Sequence, residues 1–339
     1  MNSSRRNWLA AGAVAALALA VAAQAAAQAT WKPNKPITII VPWAAGGSTD
    51  QVTRVTAAEI EKALGQKVVI VNQPGASGSI GTKNALEAPK DGYTWTAGAA
   101  KDLGTYKVLG MLDTQIQDWA LFLNVANVST LSVNPNTPYK TAGELMDAMK
   151  AKPGQISVAT AGVNSSGHSA MEAIAKAANV KYKHVTYDGG NPAVVATVAG
   201  ETDVTTQLTS EQAEMIRGKK LRPLAVVGDK SIDIDGYGAI EPLTKSLANF
   251  KEPANYFGIF IPKGVPPEVI ATVEKIWTDN INTSQALKDY ATSRGAQFAP
   301  AAGANAMKAV MPAVQVNAWQ AFDGGKAKVS PDTLGITRP

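Results

Sequence analysis

After its first thirty residues the sequence alternates short β-branched runs with longer amphipathic stretches, and this alternation restricts the possible folds most. The β-branched runs include Ile37–Val41, Val68–Val71 and Ile156–Ala159, and amphipathic stretches follow at Thr49–Leu64 and Ser169–Ala178. Strands that alternate with helices are typical of α/β proteins with parallel sheets. Because 339 residues exceed what one hydrophobic core usually serves, we expect two α/β domains.

The order of these patterns predicts that the chain crosses twice between the domains. A second α/β block opens after the proline- and asparagine-rich sequence VNPNTPYKT, and a strand pattern resumes at Tyr256–Ile261. Residues 30–132 plus 256–339 are therefore expected to form the first domain, and residues 133–255 the second. The segment from Asn282 is expected to be mostly helical until the sequence DGGKAKVSPDTLGITRP, which has no clear period. In open α/β sheets ligands bind beyond the carboxyl ends of strands, so a cleft between the domains is expected.

Residues 1–29 have the pattern of a secretory signal peptide. Arg5 and Arg6 precede the apolar stretch Trp8–Ala23, and small residues follow at a possible cleavage site. The sequence SRRNWL also approaches the twin-arginine export motif, so the choice between Sec and Tat export stays open. The apolar stretch is short for a membrane span, and the chain has no cysteine for lipid attachment or disulfides. We expect export, cleavage and a free periplasmic protein.

Composition and motifs argue against several classes of function. The formal net charge of +5 is small and dispersed, so a nucleic-acid partner is not expected. The two histidines, His168 and His184, lack metal-ligand spacing, and the glycine-rich loops lack the spacing of phosphate, dinucleotide or nucleophile motifs. We therefore expect no catalytic residue, no metal and no cofactor. The alternative is an exported α/β hydrolase or transferase that uses Ser165 or Ser48 with His168.

Several loops before helices share glycines and short hydroxyl side chains, and they supply the candidate ligand contacts. Glycine allows backbone N–H groups to approach a ligand closely, and the N-terminus of a helix favours an anion. The alternative is that these residues only form turns and N-caps. The candidates are Trp43, Ala45, Gly47, Ser48 and Thr49 in the first loop, Ser77 in the second, Thr160, Gly162, Ser165, Ser166 and His168 in the third, and Gly190 and Asn191 in the fourth.

Six segments together resemble the Bug-type solute-binding proteins of tripartite tricarboxylate transporters. In chain order they are KPITIIVPWAAGGSTD, LGQKVVIVNQPGASGSIG, DGYT, AGVNSSGHSA, VTYDGGNPAVVATVAGETDV and GKKLRPLAVVGDK. The resemblance implies a type II periplasmic binding protein whose two α/β domains close on a small organic acid and present it to membrane permease subunits. We also expect a monomer. It also implies that the loops at Trp43–Asp50 and at AGVNSSGH hold a ligand carboxylate from opposite domains.

Two departures from the family pattern bear on the ligand. The sequence AAKDLGTY places Lys101 at a strand end, where it is either solvated or in contact with the ligand. Gln207 stands where the family usually has an aspartate, so we expect a cleft without that negative charge. This predicts a dicarboxylate without an amine, aliphatic or aromatic. The sequence leaves open which acid binds and whether the protein serves transport or a membrane sensor.

Overall fold

The computed structural model describes residues 30–339, and the predicted signal peptide at residues 1–29 lies outside these described residues. The strands are β1 (Ile37–Val41), β2 (Val68–Asn72), β3 (Thr94–Ala99), β4 (Trp119–Asn127), β5 (Thr130–Val133), β6 (Ser157–Thr160), β7 (Lys183–Thr186), β8 (Val204–Thr205), β9 (Arg222–Val226), β10 (Ile232–Ile234), β11 (Gly238–Ile240), β12 (Asn255–Pro262) and β13 (Gln297–Ala302). The helices are α1 (Ser48–Leu64), α2 (Ser79–Glu87), α3 (Ala100–Thr105), α4 (Ala142–Ala151), α5 (Ser166–Ala178), α6 (Gly190–Ala199), α7 (Thr209–Arg217), α8 (Pro267–Asp279), α9 (Gln285–Arg294) and α10 (Gly303–Asp323).

These elements form two α/β domains, each built on its own sheet. The six-stranded sheet of the first domain has the order β13-β4-β12-β3-β1-β2, and the five-stranded sheet of the second has the order β7-β6-β8-β5-β9. Strands β10 and β11 form a separate hairpin. No helix among residues 30–339 combines the length and the apolar character that a membrane span requires.

Both sheets are mixed, which corrects the expectation of parallel sheets. Strand β1 pairs in parallel with β2 and β3, but β12 runs antiparallel to β3 and β4, and β5 runs antiparallel to β8 and β9. The reason is the double crossing of the chain. A strand that enters a sheet from the other domain starts at the cleft, whereas β1, β3 and β6 end there, so the entering strand must run in the opposite direction.

The final segment contains a strand that the sequence analysis did not predict. Strand β13 pairs antiparallel with β4 at the edge of the first sheet, with an irregular register between Phe298 and Ala301. Its sequence QFAPAA has no alternating pattern, and Pro300 is compatible only with an edge position or a bulge. The prediction of a mostly helical segment from Asn282 agrees with α9 and α10 but missed this strand.

Each domain has its own hydrophobic core. Trp95, Phe122 and Trp277 are buried on one face of the first sheet, and Trp119 and Phe260 are buried on the other. A sheet that is covered on both faces presents only its strand ends to a ligand. The core of the second domain includes Leu131, Met146, Val158, Met171 and Val204.

The sheets indicate where the chain passes between the domains. Strand β4 ends at Asn127 in the first sheet, and β5 begins at Thr130 in the second. Strand β12 begins at Asn255 and returns the chain to the first sheet. We propose crossings at residues 128–129 and near residue 254. The first of these precedes the boundary that the sequence predicts at residues 132–133, which stays a prediction.

The contact between β12 and β4 at Gly258 has no room for a side chain. A Cβ atom at this position would lie 2.2 Å from the carbonyl oxygen of Phe122. We expect Gly258→Ala to displace the central strands and to lower the stability of the first domain by about 1–3 kcal/mol. The measurement is urea unfolding followed by tryptophan fluorescence, because all six tryptophans of residues 30–339 belong to the first domain.

Gly143→Ala in the second domain is the control. It lies in α4, where the nearest atom to an added Cβ is Thr141 Oγ1 at 3.8 Å, so the fluorescence midpoint should stay unchanged. Equal midpoints for Gly258→Ala and the parent protein would show that the β12–β4 contact relaxes without cost.

Candidate functional site

The two domains meet at a pocket where helices from both of them begin. Eight of the residues predicted from the sequence line it: Trp43, Gly47, Ser48, Thr49, Ser165, Ser166, Gly190 and Gln207. Six further lining residues were not predicted: Ala99, Asp102, Ala161, Leu208, Glu211 and Phe257. The cavity measures about 20 Å³, which is room for about one water molecule.

Four helix N-termini converge on this pocket. Gly47 is the N-cap of α1, Ser165 is the N-cap of α5, Gly190 is the first residue of α6, and Leu208 is the N-cap of α7. The first turn of a helix has backbone N–H groups without intrahelical acceptors and carries a partial positive charge. Because α1 belongs to the first domain and the other three helices to the second, the closed cleft surrounds its contents with positive potential suited to an anion.

An acidic side chain of the protein lies within this potential. The carboxylate of Glu211, in the first turn of α7, accepts hydrogen bonds from the N–H groups of Ser48 at 3.0 Å and Leu208 at 3.3 Å. The bond to Ser48 joins the two domains. The sequence analysis missed Glu211, because an acidic residue three positions after a helix N-cap is a common feature of helix starts.

The cleft contains an acidic group although Gln207 stands at the position of the family's aspartate. In the orientation that satisfies both ends of its amide, the oxygen accepts from the N–H of Ala161 at 2.7 Å and the nitrogen donates to Glu211 at 3.0 Å. The expectation that Gln207 removes the negative charge was therefore wrong, because Glu211, one helical turn later, returns a carboxyl group to the same pocket.

The environment of Glu211 favours proton binding near neutral pH. Burial raises the pKa of Glu211 to about 7, although the N–H groups of Ser48 and Leu208 stabilise its charged form. Within residues 30–339 no lysine or arginine forms an ion pair with it. A buried carboxyl group that has only N–H partners changes its charge more readily than one paired with a cation.

The serines of the third loop, Ser165 and Ser166, lie at the start of α5 and also line the pocket. The hydroxyl of Ser165 caps α5 by accepting from the N–H of His168 at 3.2 Å. The hydroxyl of Ser166 accepts from the side-chain amide of Asn255, on the crossing strand β12. Both side chains line the pocket, so the N-cap interpretation and the ligand-contact interpretation apply to the same residues.

Four of the predicted residues lie at the rim of the cleft rather than along the pocket. Ala45 is exposed. The side-chain amide of Asn191 would be 3.4 Å from a Cβ atom at Gly46, and the hydroxyl of Ser77 would be 2.4 Å from one at Gly162. Asn191 and Gly162 belong to the second domain, and Gly46 and Ser77 to the first. These residues therefore form the contact between the closed domains.

Thr160 and His168 belong to a histidine cluster outside the pocket. Thr160 Oγ1 and His184 Nε2 are 2.6 Å apart, and the ring of His168 stacks on that of His184 at 4.5 Å. Burial and the neighbouring His184 lower the pKa of His168 to about 3. The hydroxyl of Ser48 accepts from Ser210 and Asn127 instead. The pairing of Ser48 or Ser165 with His168 that a hydrolase needs is therefore not formed.

Lys101 is buried outside the pocket. Its ammonium group pairs with Asp102 at 2.8 Å and donates to the carbonyl oxygen of Asn164 at 2.8 Å. Burial raises the pKa of Asp102, and the charge of Lys101 opposes this shift. The predicted contact between Lys101 and a ligand is replaced by a link between the two domains. No group of three His, Cys, Asp or Glu side chains in the described part of the chain could hold a metal ion.

The rim of the pocket is closed by contacts between loops of the two domains. The N–H of Ala44 donates to the carbonyl oxygen of Asp188 at 3.2 Å. A Cβ atom at Gly189 would lie 2.9 Å from the Cβ of Ala44, so the loops before α1 and α6 are in direct contact. A solute of several heavy atoms can enter this pocket only if the loops separate.

Two α/β domains that enclose a pocket at their helix N-termini define a solute-binding protein. The family model described as tripartite tricarboxylate transporter family receptor, TctC, matches residues 52–320. The UPF0065 protein in the tcbD-tcbE intergenic region of Pseudomonas sp. (strain P51) is 31% identical over 274 residues, which is 79% of this chain and 80% of that protein. Protein BugT of Bordetella pertussis is 28% identical over 268 residues, 76% of this chain and 80% of BugT. The chain belongs to the tripartite tricarboxylate transporter receptor family, whose members are binding proteins rather than enzymes.

Solved structures share the fold. The periplasmic binding protein BugD has a TM-score of 0.77 at 24% identity, over 87% of this chain and 99% of BugD. An R. palustris protein solved with adipate has a TM-score of 0.76 at 22% identity, over 86% of this chain and 98% of its own. MatC from Rhodopseudomonas palustris with bound malate has a TM-score of 0.74 at 21% identity, over 84% of this chain and 99% of MatC. The predicted periplasmic binding protein fold is confirmed.

The pKa of Glu211 predicts how this residue affects stability. Its value of about 7 in the folded protein is above the ordinary 4.5, so its stabilising contribution is complete below about pH 4.5 and is lost as the pH rises through 7. We expect Glu211→Gln to be more stable than the parent at pH 8, by up to about 3 kcal/mol, with the difference vanishing near pH 4.5. The measurement is thermal unfolding across this pH range.

The matched control is Glu214→Gln, on the same helix. The Glu214 side chain is exposed and pairs with Arg217 and Arg294. This variant should gain no stability at pH 8. A Glu211→Gln protein whose advantage stays constant from pH 5 to pH 8 would contradict the raised pKa.

Proposed function

We propose that this receptor captures a small carboxylate in the periplasm and delivers it to the permease subunits of a tripartite tricarboxylate transporter. The observation that carries the proposal is the convergence of four helix N-termini from both domains on one closed pocket. Backbone N–H groups at helix starts bind carboxylates without a cationic side chain. The exported state, a cleaved signal peptide at residues 1–29 and a monomeric receptor are part of this proposal.

We propose that the ligand is a dicarboxylate without an amine, aliphatic or aromatic. Two proteins of the same fold were solved with adipate and with malate, which are acids of this class. In the present chain the first turn of α1 would bind one carboxylate from the first domain, and the starts of α5 and α6 would bind from the second. The proposed contacts are Trp43, Gly47, Ser48, Thr49, Ser165, Ser166, Gly190 and Gln207.

Capture requires the domains to open and close. The closed pocket has room for about one water, and the contact between the loops at Ala44 and Gly189 covers it. We propose that residues 30–339 cross between the domains twice, at residues 128–129 and near residue 254. Few covalent connections between two domains favour rotation of one domain against the other around a ligand.

Ligand identity can be tested by thermal unfolding at pH 6 with a panel of acids. The panel contains succinate, adipate, malate, tartrate, citrate, phthalate isomers, aspartate and glutamate. A ligand present at 100 times its Kd stabilises the protein by about 2.7 kcal/mol, which corresponds to a Tm increase of roughly 4 °C for a chain of this size. We expect an increase of this size for at least one dicarboxylate and smaller increases for aspartate and glutamate.

Two glycine variants control this experiment. A Cβ atom at Gly190 would lie 2.1 Å from the carboxyl group of Glu211, so Gly190→Ala should fill the pocket and abolish the ligand-dependent increase. Gly143→Ala, far from the pocket on α4, should retain it. The largest increase with an amino acid, or no increase with any acid, would contradict the proposed ligand class.

Closure can be tested by small-angle X-ray scattering. We expect the radius of gyration to decrease when the stabilising acid from the panel is added, because the ligand enters an open form and the second-domain loops contact it only after closure. The Gly190→Ala variant should show no decrease. An unchanged radius for the parent protein at saturation would count heavily against hinged closure.

A further inference from the structure

The anion position of the pocket is filled by a side chain of the protein itself. Glu211 Oε1 accepts from the N–H of Ser48 at 3.0 Å, at the start of α1, where a ligand carboxylate is proposed to bind. A Cβ atom at Gly190 would lie 2.1 Å from both carboxyl oxygens, so α6 packs directly against this group. With about 20 Å³ remaining, a dicarboxylate that binds here must share its hydrogen-bond donors with Glu211.

No charged group on the surrounding elements neutralises Glu211. Each acidic or basic side chain on these elements forms an ion pair of its own, remains neutral, or is exposed away from the pocket. Such a carboxylate repels a second carboxylate at short range, and one of the two binds a proton to relieve the repulsion. The surrounding groups are Asp102 paired with Lys101, Asp50 paired with Arg54, Arg294 paired with Glu214, neutral Tyr290 and His168, and exposed Asp188.

We propose that Glu211 is the specificity-determining residue of the cleft, and that it admits a carboxylate ligand only together with a proton, so that capture takes up one proton for each ligand. This inference rests on the proposed function. The proton comes from solvent and binds to the carboxylate of Glu211, and no other bond forms or breaks. The resulting hydroxyl group donates to the ligand carboxylate, while the N–H of Ser48 and the amide of Gln207 become available to the ligand.

The protonated form of Glu211 is accessible under ordinary conditions. Burial raises the pKa of this carboxyl group to about 7 before any ligand is present. A second carboxylate in the pocket raises it further. The complex therefore holds more protons than the free protein above pH 7, and the affinity for a dicarboxylate decreases as the pH rises, by at most tenfold for each pH unit. Below about pH 6 the affinity is constant until the ligand itself gains protons.

Calorimetric titration with adipate and with malate between pH 7 and pH 8.5 tests this inference. Each titration is repeated in two buffers of different ionisation enthalpy, which counts the protons taken up with the ligand. We expect about half a proton at pH 7, a value approaching one at pH 8.5, and a Kd that increases about tenfold between pH 7.5 and pH 8.5. Both acids are almost fully ionised at and above pH 7, so their own titration contributes little to the proton count.

The variants Glu211→Gln and Glu214→Gln separate the role of this carboxyl group from other effects of pH. Glutamine keeps an oxygen that can accept from Ser48 but has no charge to neutralise. Glu211→Gln should bind both acids without proton uptake, with a Kd that does not change with pH and is at least about tenfold lower than that of the parent at pH 8.5. Glu214→Gln, whose side chain is exposed on the same helix, should behave like the parent. Far-ultraviolet circular dichroism confirms that both variants are folded.

The outcomes distinguish this inference from the proposed function. Binding of either acid by the parent without proton uptake would overturn the inference and leave the proposed function intact. The same is true if Glu211→Gln retains the dependence on pH. Tight binding of aspartate that weakens at low pH and is lost in Glu211→Gln would show that Glu211 pairs with a ligand amine, which overturns the inference and the proposed ligand class. Failure of every acid to bind at any pH would overturn both.

Discussion

The positive potential at the meeting point of four helix N-termini is the constraint on which the structure of the site depends. Helix α1 contributes to it from the first domain, and α5, α6 and α7 contribute from the second. The closed cavity of about 20 Å³ has room for about one water molecule, so the N–H groups are in contact mainly with groups of the protein itself. The carboxyl group that accepts from these N–H groups is that of Glu211; its bond to Ser48 crosses the domain interface, and burial raises its pKa to about 7.

The closed arrangement also explains why particular small residues stand at the pocket. The carboxyl group of Glu211 lies so close to Gly190 that any side chain there would collide with it. Gly189 has the same relation to Ala44 on the opposite loop. Glycine at these positions lets the start of α6 approach the first domain, which brings its N–H groups within reach of the shared anion. The loop sequence therefore serves domain closure and anion binding at the same time.

The sequence predicts the local parts of this site better than the parts that arise between domains. Strand β1 and the start of α1 follow from β-branched Ile37–Val41 and the glycines and hydroxyls after it, and the helix begins one residue before the expected Thr49. The role of Glu211 could not be predicted in this way, because its partner Ser48 is 163 residues distant. Lys101 has the chemistry of a ligand contact, but the neighbouring Asp102 pairs with it. Strand β13 has no periodic pattern, and only its pairing with β4 defines it.

In this fold backbone N–H groups bind the anion, and a few side chains determine which ligand is bound. Any sequence that begins a helix at the right place supplies the N–H groups, so proteins that are only 21–24% identical can keep the same framework. The choice of ligand is then left to the few side chains that reach the pocket. Among these, Glu211 differs in kind from Trp43 and Gln207, because its charge changes with a single proton. A single carboxyl group at the meeting point of the helices can therefore make the same anion-binding framework sensitive to the ligand's charge and to pH.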